Sequence, residues 1–116
     1  MQREAKKYLY DIQQAVRLIR EFTDGETFAD YQSNGMMRAA VEREFEIIGE
    51  AMTRLARVAP QVVSRISEYE QIISFRNILI HGYADVNDRA VWFVIETDLP
   101  TLGREIDALL AEGEDG

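Results

Sequence analysis

Apolar residues recur at every third or fourth position along almost the whole chain. The first such stripe consists of Ala5, Tyr8, Leu9, Ile12, Val16, Ile19 and Phe22. No convincing stretch alternates apolar and polar residues as a half-buried strand would. Because this spacing places apolar side chains on one face of a helix, the sequence predicts an all-α protein. Four to five antiparallel helices with short loops indicate an up-and-down bundle.

Turn and cap signals place the first two helices. The first stripe ends at Asp24 and Gly25, a turn pair in which the glycine is positioned to stop a helix. The stretch 27–35 is interpreted as a linker, in which Ser33 or Asn34 is the expected N-cap of a long helix from about 36 to 58. The buried stripe of this helix is predicted to be Val41, Phe45, Ile48, Met52 and Leu55. Pro60 then ends this helix, because the residue before a proline is pushed out of the helical conformation.

The second half of the chain is predicted to hold a short helical turn and two further helices. After the turn at 61–66, Ser67 is a plausible cap for a helix that runs to about Ile80, and Gly82 is suited to close it. In the last helix, capped by Asp85 or Asn87, the apolar stripe comprises Trp92, Ile95, Leu99, Leu102, Ile106 and Leu109. Pro100 predicts a kink or two abutting helices.

The size and composition fit one domain over residues 1–116, with 111–116 as a solvated tail. The chain has no cysteine and only one histidine, His81, which excludes thiolate and multi-histidine metal sites within one chain. We therefore expect no metal and no cofactor. Neither an apolar leader nor a run long enough to cross a membrane is evident, so a cytoplasmic protein without membrane contact is expected.

The net charge of -8 argues against a protein that coats nucleic acid through a general excess of cations. The charge is unevenly distributed, however. Residues 36–76 contain six arginines and six glutamates, and residues 1–20 contain five basic and two acidic residues. A phosphate-binding surface is therefore possible only as a local one, where the arginines of the middle segment converge.

The segment 70–83 carries the candidate functional residues. Arg76 falls on the apolar stripe of its helix, where it must find an anion or a partner. His81 follows five residues later, about 140° around and about 7.5 Å along an ideal helix. A structural interpretation is also open: an arginine paired with a glutamate, and a histidine that caps a helix end. Asn77 and Tyr83 are equally ambiguous, since each suits a helix surface or end as well as a site.

The residues RNILIHGY, 76–83, resemble the R-x4-H-x-Y motif of the HEPN superfamily (higher eukaryotes and prokaryotes nucleotide-binding domain). More specifically, they resemble the HepT-like toxins that are paired with a minimal nucleotidyltransferase antitoxin. Two more blocks, 38–51 and 91–110, are similar to the second-helix segment and the C-terminal helix of that family and occur in the same order. The resemblance therefore covers most of the chain.

This resemblance implies a HEPN-like helical bundle that forms a homodimer. It implies that Arg76 and His81 are the catalytic pair of a metal-independent RNA endonuclease, with Asn77 as the polar companion of the motif. Tyr83 matches the tyrosine to which the nucleotidyltransferase of some pairs transfers AMP from ATP, which silences the toxin. The expected system is a type VII-like toxin-antitoxin pair.

The implied chemistry suits the residues present. RNA is cleaved when its own 2′-hydroxyl attacks the adjacent phosphate, which requires a proton acceptor, a proton donor and charge stabilisation. An imidazole can serve as base or acid near neutral pH, and a guanidinium can bind the charged oxygens with two donors. One chain supplies only one imidazole, so a dimer with two copies of His81 across one cleft would supply both proton-transfer groups.

Functions of a different class stay open at this point. The chain could be a non-catalytic helical subunit that binds a nucleotide or helps a nucleotidyltransferase to bind its substrate. A purely structural dimer is a further alternative. The presence of both Arg76 and His81 favours the enzyme, because a scaffold needs neither residue.

Overall fold

The computed structural model describes residues 1–81 and 86–115. In this part of the chain, the regular secondary structure is helical, and turns and short connections join the helices. Its six helices are α1 (Arg3–Thr23), α2 (Phe28–Ser33), α3 (Gly35–Val58), α4 (Pro60–Val63), α5 (Tyr69–His81) and α6 (Asp88–Asp115). The predicted all-α class is confirmed. Four of the helices are long, and α2 and α4 are short connecting helices.

The core lies where α1, α3 and α6 meet. Helix α3 packs extensively on α1, and α6 covers another side of α1. The predicted stripes of α3 and α6 are buried throughout: Val41, Phe45, Ile48, Met52 and Leu55 on α3, and Trp92, Ile95, Leu99, Leu102, Ile106 and Leu109 on α6. The stripe of α1 is also buried, except that Phe22 at its end is exposed. Phe22 lies in the last turn of α1, beyond the buried stripe, where the helix no longer faces the core.

Most of the predicted boundaries agree with the structure. Gly25 adopts a positive φ of 72° just after α1, as its assignment as a stop requires. Asn34 caps α3 by accepting a hydrogen bond from the backbone N–H of Met37 at 3.0 Å. Asn87 caps α6 by accepting hydrogen bonds from the N–H groups of Arg89 and Ala90. In each case a side-chain oxygen satisfies helix donors that have no partner within the helix.

The stretch that we interpreted as a linker contains the short helix α2. Thr27 and Asp30 form a reciprocal capping box at its start. Tyr31 of this helix is fully buried and packs against Trp92 of α6, with ring centroids 5.4 Å apart. An aromatic contact of this kind provides enough burial to keep a very short helix folded.

Ser67 has a different role from the one predicted. Its N–H and hydroxyl both donate to Glu105 of α6, at 3.0 and 2.7 Å, rather than capping α5. Glu68, with a positive φ of 57°, then leads into α5 at Tyr69. The connection before α5 is thus attached to α6, and Arg65 adds an ion pair with Glu112 at 2.6 Å.

Helix α6 is one continuous helix from Asp88 to Asp115 with Pro100 inside it, rather than two abutting helices. An internal proline removes one hydrogen bond and costs about 3 kcal/mol or more, which the burial of Leu99 and Leu102 on either side offsets. The helix also extends through residues 111–115, which we expected to form a tail. No helix in the described part of the chain is both long and apolar enough to cross a membrane.

Candidate active site

Arg76 lies on the face of α5 that packs against α3. Directly beneath it on α3 is Gly49, which is buried, and a Cβ atom added to Gly49 would overlap the Cβ and Cγ atoms of Arg76. The two helices therefore approach each other more closely here than any larger residue would allow. The side chain of Arg76 is only 26% exposed as a result.

The guanidinium of Arg76 is bound by a carboxylate of α3. Its Nη2 donates to Oε2 of Glu50 at 2.6 Å, and its Nη1 donates to Oδ1 of Asn77 at 3.3 Å. The Nε atom is buried and has no hydrogen-bond partner among the described residues. The structural interpretation that we left open, an arginine paired with a glutamate, therefore describes the contact that Arg76 makes within the chain.

Glu50 is itself shared between two arginines. Its other oxygen, Oε1, accepts a hydrogen bond from Nε of Arg54 at 3.0 Å and lies 2.9 Å from Nη2 of the same residue. The hydrogen bond from Arg54, followed by the positive charges of Arg76 and Arg54, lowers the pKa of Glu50 despite its partial desolvation. The carboxylate is thus held in its charged form between two guanidinium groups.

His81 is the last residue of α5 within the described part of the chain, and it is exposed. Because α5 is helical from Arg76 to His81, the two side chains leave the helix about 140° apart. Arg76 points to α3, whereas His81 does not share that face. One chain therefore does not place the two residues side by side on one face. Tyr83, the fourth predicted site residue, lies outside the described residues.

A groove of about 440 Å³ opens next to Arg76, between α1, α3 and α5. Ile80, one turn after Arg76, lines the same groove, and Tyr8 and Ala51 contribute to its walls. The charged side chains that line it are Lys7, Asp11, Arg43, Glu46, Glu50, Arg54 and Arg76. The four cations outnumber the three carboxylates, although the chain as a whole carries a net charge of -8.

The arginines of the middle segment converge only in part. Arg43, Arg54 and Arg76 reach the groove, where Lys7 of α1 joins them. Arg65 instead pairs with Glu112 on another part of the surface. The groove therefore gathers four cations from three helices among three carboxylates, an excess of one positive charge.

Sequence reasoning did not identify Gly49, Glu50 or Lys7. Each belongs to a helix that is distant in sequence from the R-x4-H motif, so no spacing connects them with Arg76. The available signal was general: an arginine on a packing face needs an anionic partner. That signal predicted the type of the partner and left its position open.

Glu42 and Glu46 lie on one face of α3 and form a second, weaker candidate for a metal-binding or acid-base pair. Burial, followed by the charges of Asp88 and Glu46, raises the pKa of the half-buried Glu42. Within the described part of the chain, no group of three or more acidic or histidine side chains is arranged to hold a metal ion. Glu42 and Glu46 therefore belong to a partly covered surface of α3, and we assign them no role in a site.

The described residues form a small helical domain that carries the R-x4-H motif beside a groove, and comparison with known proteins identifies the family. The chain belongs to the HepT-like family, because the family model described as "Ribonuclease HepT-like" matches residues 12–109. The predicted membership of the HEPN superfamily is thereby confirmed.

Two relatives illustrate the relationship. The chain is 34% identical over 113 residues to the "Probable ribonuclease HepT" of Thermococcus cleftensis, covering 94% of this chain and 98% of that protein. It is 30% identical over 105 residues to the "Putative RNase MJ1380" of Methanocaldococcus jannaschii, covering 90% of this chain and 95% of that protein. No solved structure was found to match the chain.

Proposed function

We propose that this protein is the toxin of a type VII-like toxin-antitoxin pair and acts as a metal-independent RNA endonuclease. The observation that carries the proposal is the position of Arg76, whose guanidinium lies at the edge of a groove lined by three further cations. Membership of the HepT-like ribonuclease family and the printed names of its relatives support the same activity. RNA, with one phosphate per nucleotide, is a polymer that such a groove can bind.

In the proposed reaction, the 2′-oxygen of one nucleotide attacks the adjacent phosphorus. One His81 accepts the proton of the 2′-hydroxyl, and a second proton donor protonates the departing 5′-oxygen as its bond to phosphorus breaks. The products are a 2′,3′-cyclic phosphate and a 5′-hydroxyl. Arg76 stabilises the charged oxygens around phosphorus, for which Nη1 is available, since its 3.3 Å bond to Asn77 is long and easily exchanged.

A homodimer would supply the second imidazole. Exposed apolar residues support this proposal: Ile78, within the motif, is 58% exposed, and Phe93 of α6 is 60% exposed. An apolar groove of about 670 Å³ also separates α5 from α6, with Ile72 and Phe75 of α5 on its wall. Isologous pairing of two such surfaces would bring each motif close to its own copy.

Cleavage of RNA by purified protein tests the proposed activity. We expect wild-type protein to cleave total RNA in the presence of EDTA and to leave 2′,3′-cyclic phosphate ends. His81→Ala should lower the rate by about 100-fold or more, because a positioned acid-base group contributes at least that much. Arg65→Ala, which removes a cation outside the groove, serves as the control and should cleave at the wild-type rate.

Three outcomes would contradict this proposal. If His81→Ala cleaves as fast as wild type, the imidazole has no part in the reaction. If wild-type protein leaves RNA intact but binds a mononucleotide, the alternative of a non-catalytic nucleotide-binding subunit is correct. Loss of cleavage in EDTA would remove the metal-independent mechanism.

We further propose that a cognate minimal nucleotidyltransferase is the antitoxin and that it transfers AMP from ATP to the hydroxyl of Tyr83. This proposal rests on the family motif, in which Tyr83 follows His81 by two residues. An attached AMP group would place a bulky anion close to His81, where it would repel the phosphates of RNA and block access to the site.

Tyr83→Phe separates modification from packing, because it keeps the ring and removes only the acceptor oxygen. We expect this variant to stay folded and to cleave RNA, and to gain no mass when it is co-expressed with the cognate nucleotidyltransferase. Wild-type protein should gain about 329 Da per AMP group, and mass spectrometry would map the site. An AMP adduct on a different residue, or full silencing of Tyr83→Phe by the active transferase, would contradict the role of Tyr83.

A further inference from the structure

Glu50 is the residue on which the geometry of Arg76 depends. A free arginine side chain has several rotatable bonds, and its planar fork binds a phosphate well only in one orientation. In this structure, the orientation is constrained at two points: Gly49 lies under the Cβ and Cγ atoms, and Glu50 binds Nη2 at the tip. Between these points, Nε is buried.

We propose that Glu50 is a positioning residue of the ribonuclease site, which holds the Arg76 guanidinium so that Nη1 stays available to the scissile phosphate. This inference rests on the proposed function for its chemistry. It goes beyond that function because it assigns a role to an acidic residue of α3 that lies outside the R-x4-H motif. Arg54 extends the arrangement, since it binds the other oxygen of Glu50 and so fixes the carboxylate.

The contacts of Glu50 distinguish this role from that of a general base. Both of its oxygens already accept hydrogen bonds from guanidinium groups. Its pKa lies below that of an ordinary glutamate, chiefly because of the hydrogen bond from Arg54. A carboxylate of this kind accepts a further proton poorly, so it suits positioning better than proton transfer.

The contacts also distinguish positioning from an ordinary surface ion pair. Exposed pairs contribute little, because both side chains stay mobile in water. Arg76 is only 26% exposed, and its aliphatic part packs on Gly49, so its bond to Glu50 immobilises a group that is already partly confined. Glu46 provides the contrast within the same groove: it lies 3.6 Å from Arg43, whose side chain is 69% exposed.

The test compares Glu50→Gln with the matched control Glu112→Gln. Both variants remove the charge of a carboxylate that binds an arginine and keep an isosteric side chain, but Glu112 binds Arg65 outside the groove, whereas Glu50 binds Arg76. If Glu50 acts through Arg76, Glu50→Gln should lower kcat for RNA cleavage by about 10-fold to 100-fold, the loss expected from a misplaced catalytic group. KM should stay within a few-fold of wild type. Glu112→Gln should leave kcat unchanged.

A second readout reports on Arg76 without RNA. In nitrogen-15 NMR spectra, the Nη signals of a bound guanidinium are separate because rotation about the Cζ–Nε bond is slow, and those of a free one are averaged. We expect separate Arg76 signals in wild type and in Glu112→Gln, and averaged signals in Glu50→Gln. Loss of the signals in Arg76→Lys would assign them.

The outcomes separate this inference from the proposed function. Wild-type kcat in Glu50→Gln, a faster reaction in that variant, or Arg76 signals that do not respond to the substitution would each overturn the positioning role. If wild-type protein fails to cleave RNA but the signals of Arg76 average in Glu50→Gln, the proposed function is wrong while Glu50 still holds the arginine. An unchanged kcat in a protein that cleaves RNA through His81 would instead reject Glu50 alone.

Discussion

Helices α1 and α5 bury their apolar residues to different extents. Helix α1, with 21 residues, buries seven of its residues in the core, all of them apolar. Helix α5, with 13 residues, has apolar side chains at about half of its positions and buries only Leu79. It packs mainly on α3. The contrast indicates that the fold buries the apolar face of α1. On α5, Tyr69, Ile72, Ile73 and Phe75 are only partly buried against the core, and Ile78 is exposed.

A similar contrast exists within α5. Arg76, in the middle of the helix, is fixed between Gly49 and Glu50, whereas His81 at the end is exposed. A charge-stabilising group benefits from being held in place before substrate arrives, because it then needs no reorganisation during the reaction. A histidine that is to meet the site of a second subunit must instead be accessible.

The largest expected difference between α1 and α5 is in stability. Ile12 of α1 is fully buried, so Ile12→Ala should lower the free energy of unfolding by about 2–5 kcal/mol. Ile78 of α5 is 58% exposed, so Ile78→Ala should change it by less than about 0.5 kcal/mol in dilute protein. Urea denaturation at nanomolar concentration measures both. Similar losses from the two substitutions would mean that α5 belongs to the core as fully as α1.

Formation of a homodimer is expected to depend on α5 rather than on the core helix α1. If α5 forms part of a homodimer interface, Ile78→Asp should weaken the dimer by about 100-fold, since it places a charge in an apolar contact. Met36→Asp is the control, because Met36 is also an exposed apolar residue but lies at the start of α3. Light scattering of wild-type protein and of Met36→Asp should give about twice the chain mass of 13.3 kDa. A monomeric wild type that still cleaves RNA would reject the shared site.

A smaller effect is expected where α5 meets α3. Gly49→Ala introduces a Cβ that overlaps the Cβ and Cγ atoms of Arg76, so α5 must move away from α3. Overpacking costs about 1–3 kcal/mol, and the better helix propensity of alanine returns about 1 kcal/mol of it. We expect a net loss of about 1 kcal/mol in thermal or urea denaturation, together with slower RNA cleavage. A more stable variant with unchanged cleavage would show that the close approach at Gly49 is unimportant.

The sequence predicted the fold well because its signals are local. Stripes on α3 and α6 and the caps Asn34 and Asn87 each depend on neighbours within a few residues. The errors occurred where distant contacts compete with local signals. Tyr31 stabilises a helix in a supposed linker by packing on Trp92, and Ser67 is bound by Glu105 instead of capping α5.

The site was predictable only along α5 itself. Arg76, Asn77 and His81 could be named because the motif is contiguous, and their catalytic roles stay predictions. Glu50 and Lys7 could not be named, because their proximity to Arg76 results from how α1 and α3 pack. By contrast, the five-residue spacing alone predicted that Arg76 and His81 leave the helix about 140° apart, and α5 is helical through both residues.

The close packing of Arg76 on Gly49 also gives a criterion for comparing sequences. A glycine followed by a glutamate on one helix, and an arginine on the helix that crosses it, form a single pattern in which no position can change independently. Replacing the glycine closes the space that the arginine occupies, and shortening the arginine leaves the glutamate facing Arg54 alone. A chain that carries R-x4-H without this glycine and glutamate must therefore hold its arginine by other contacts.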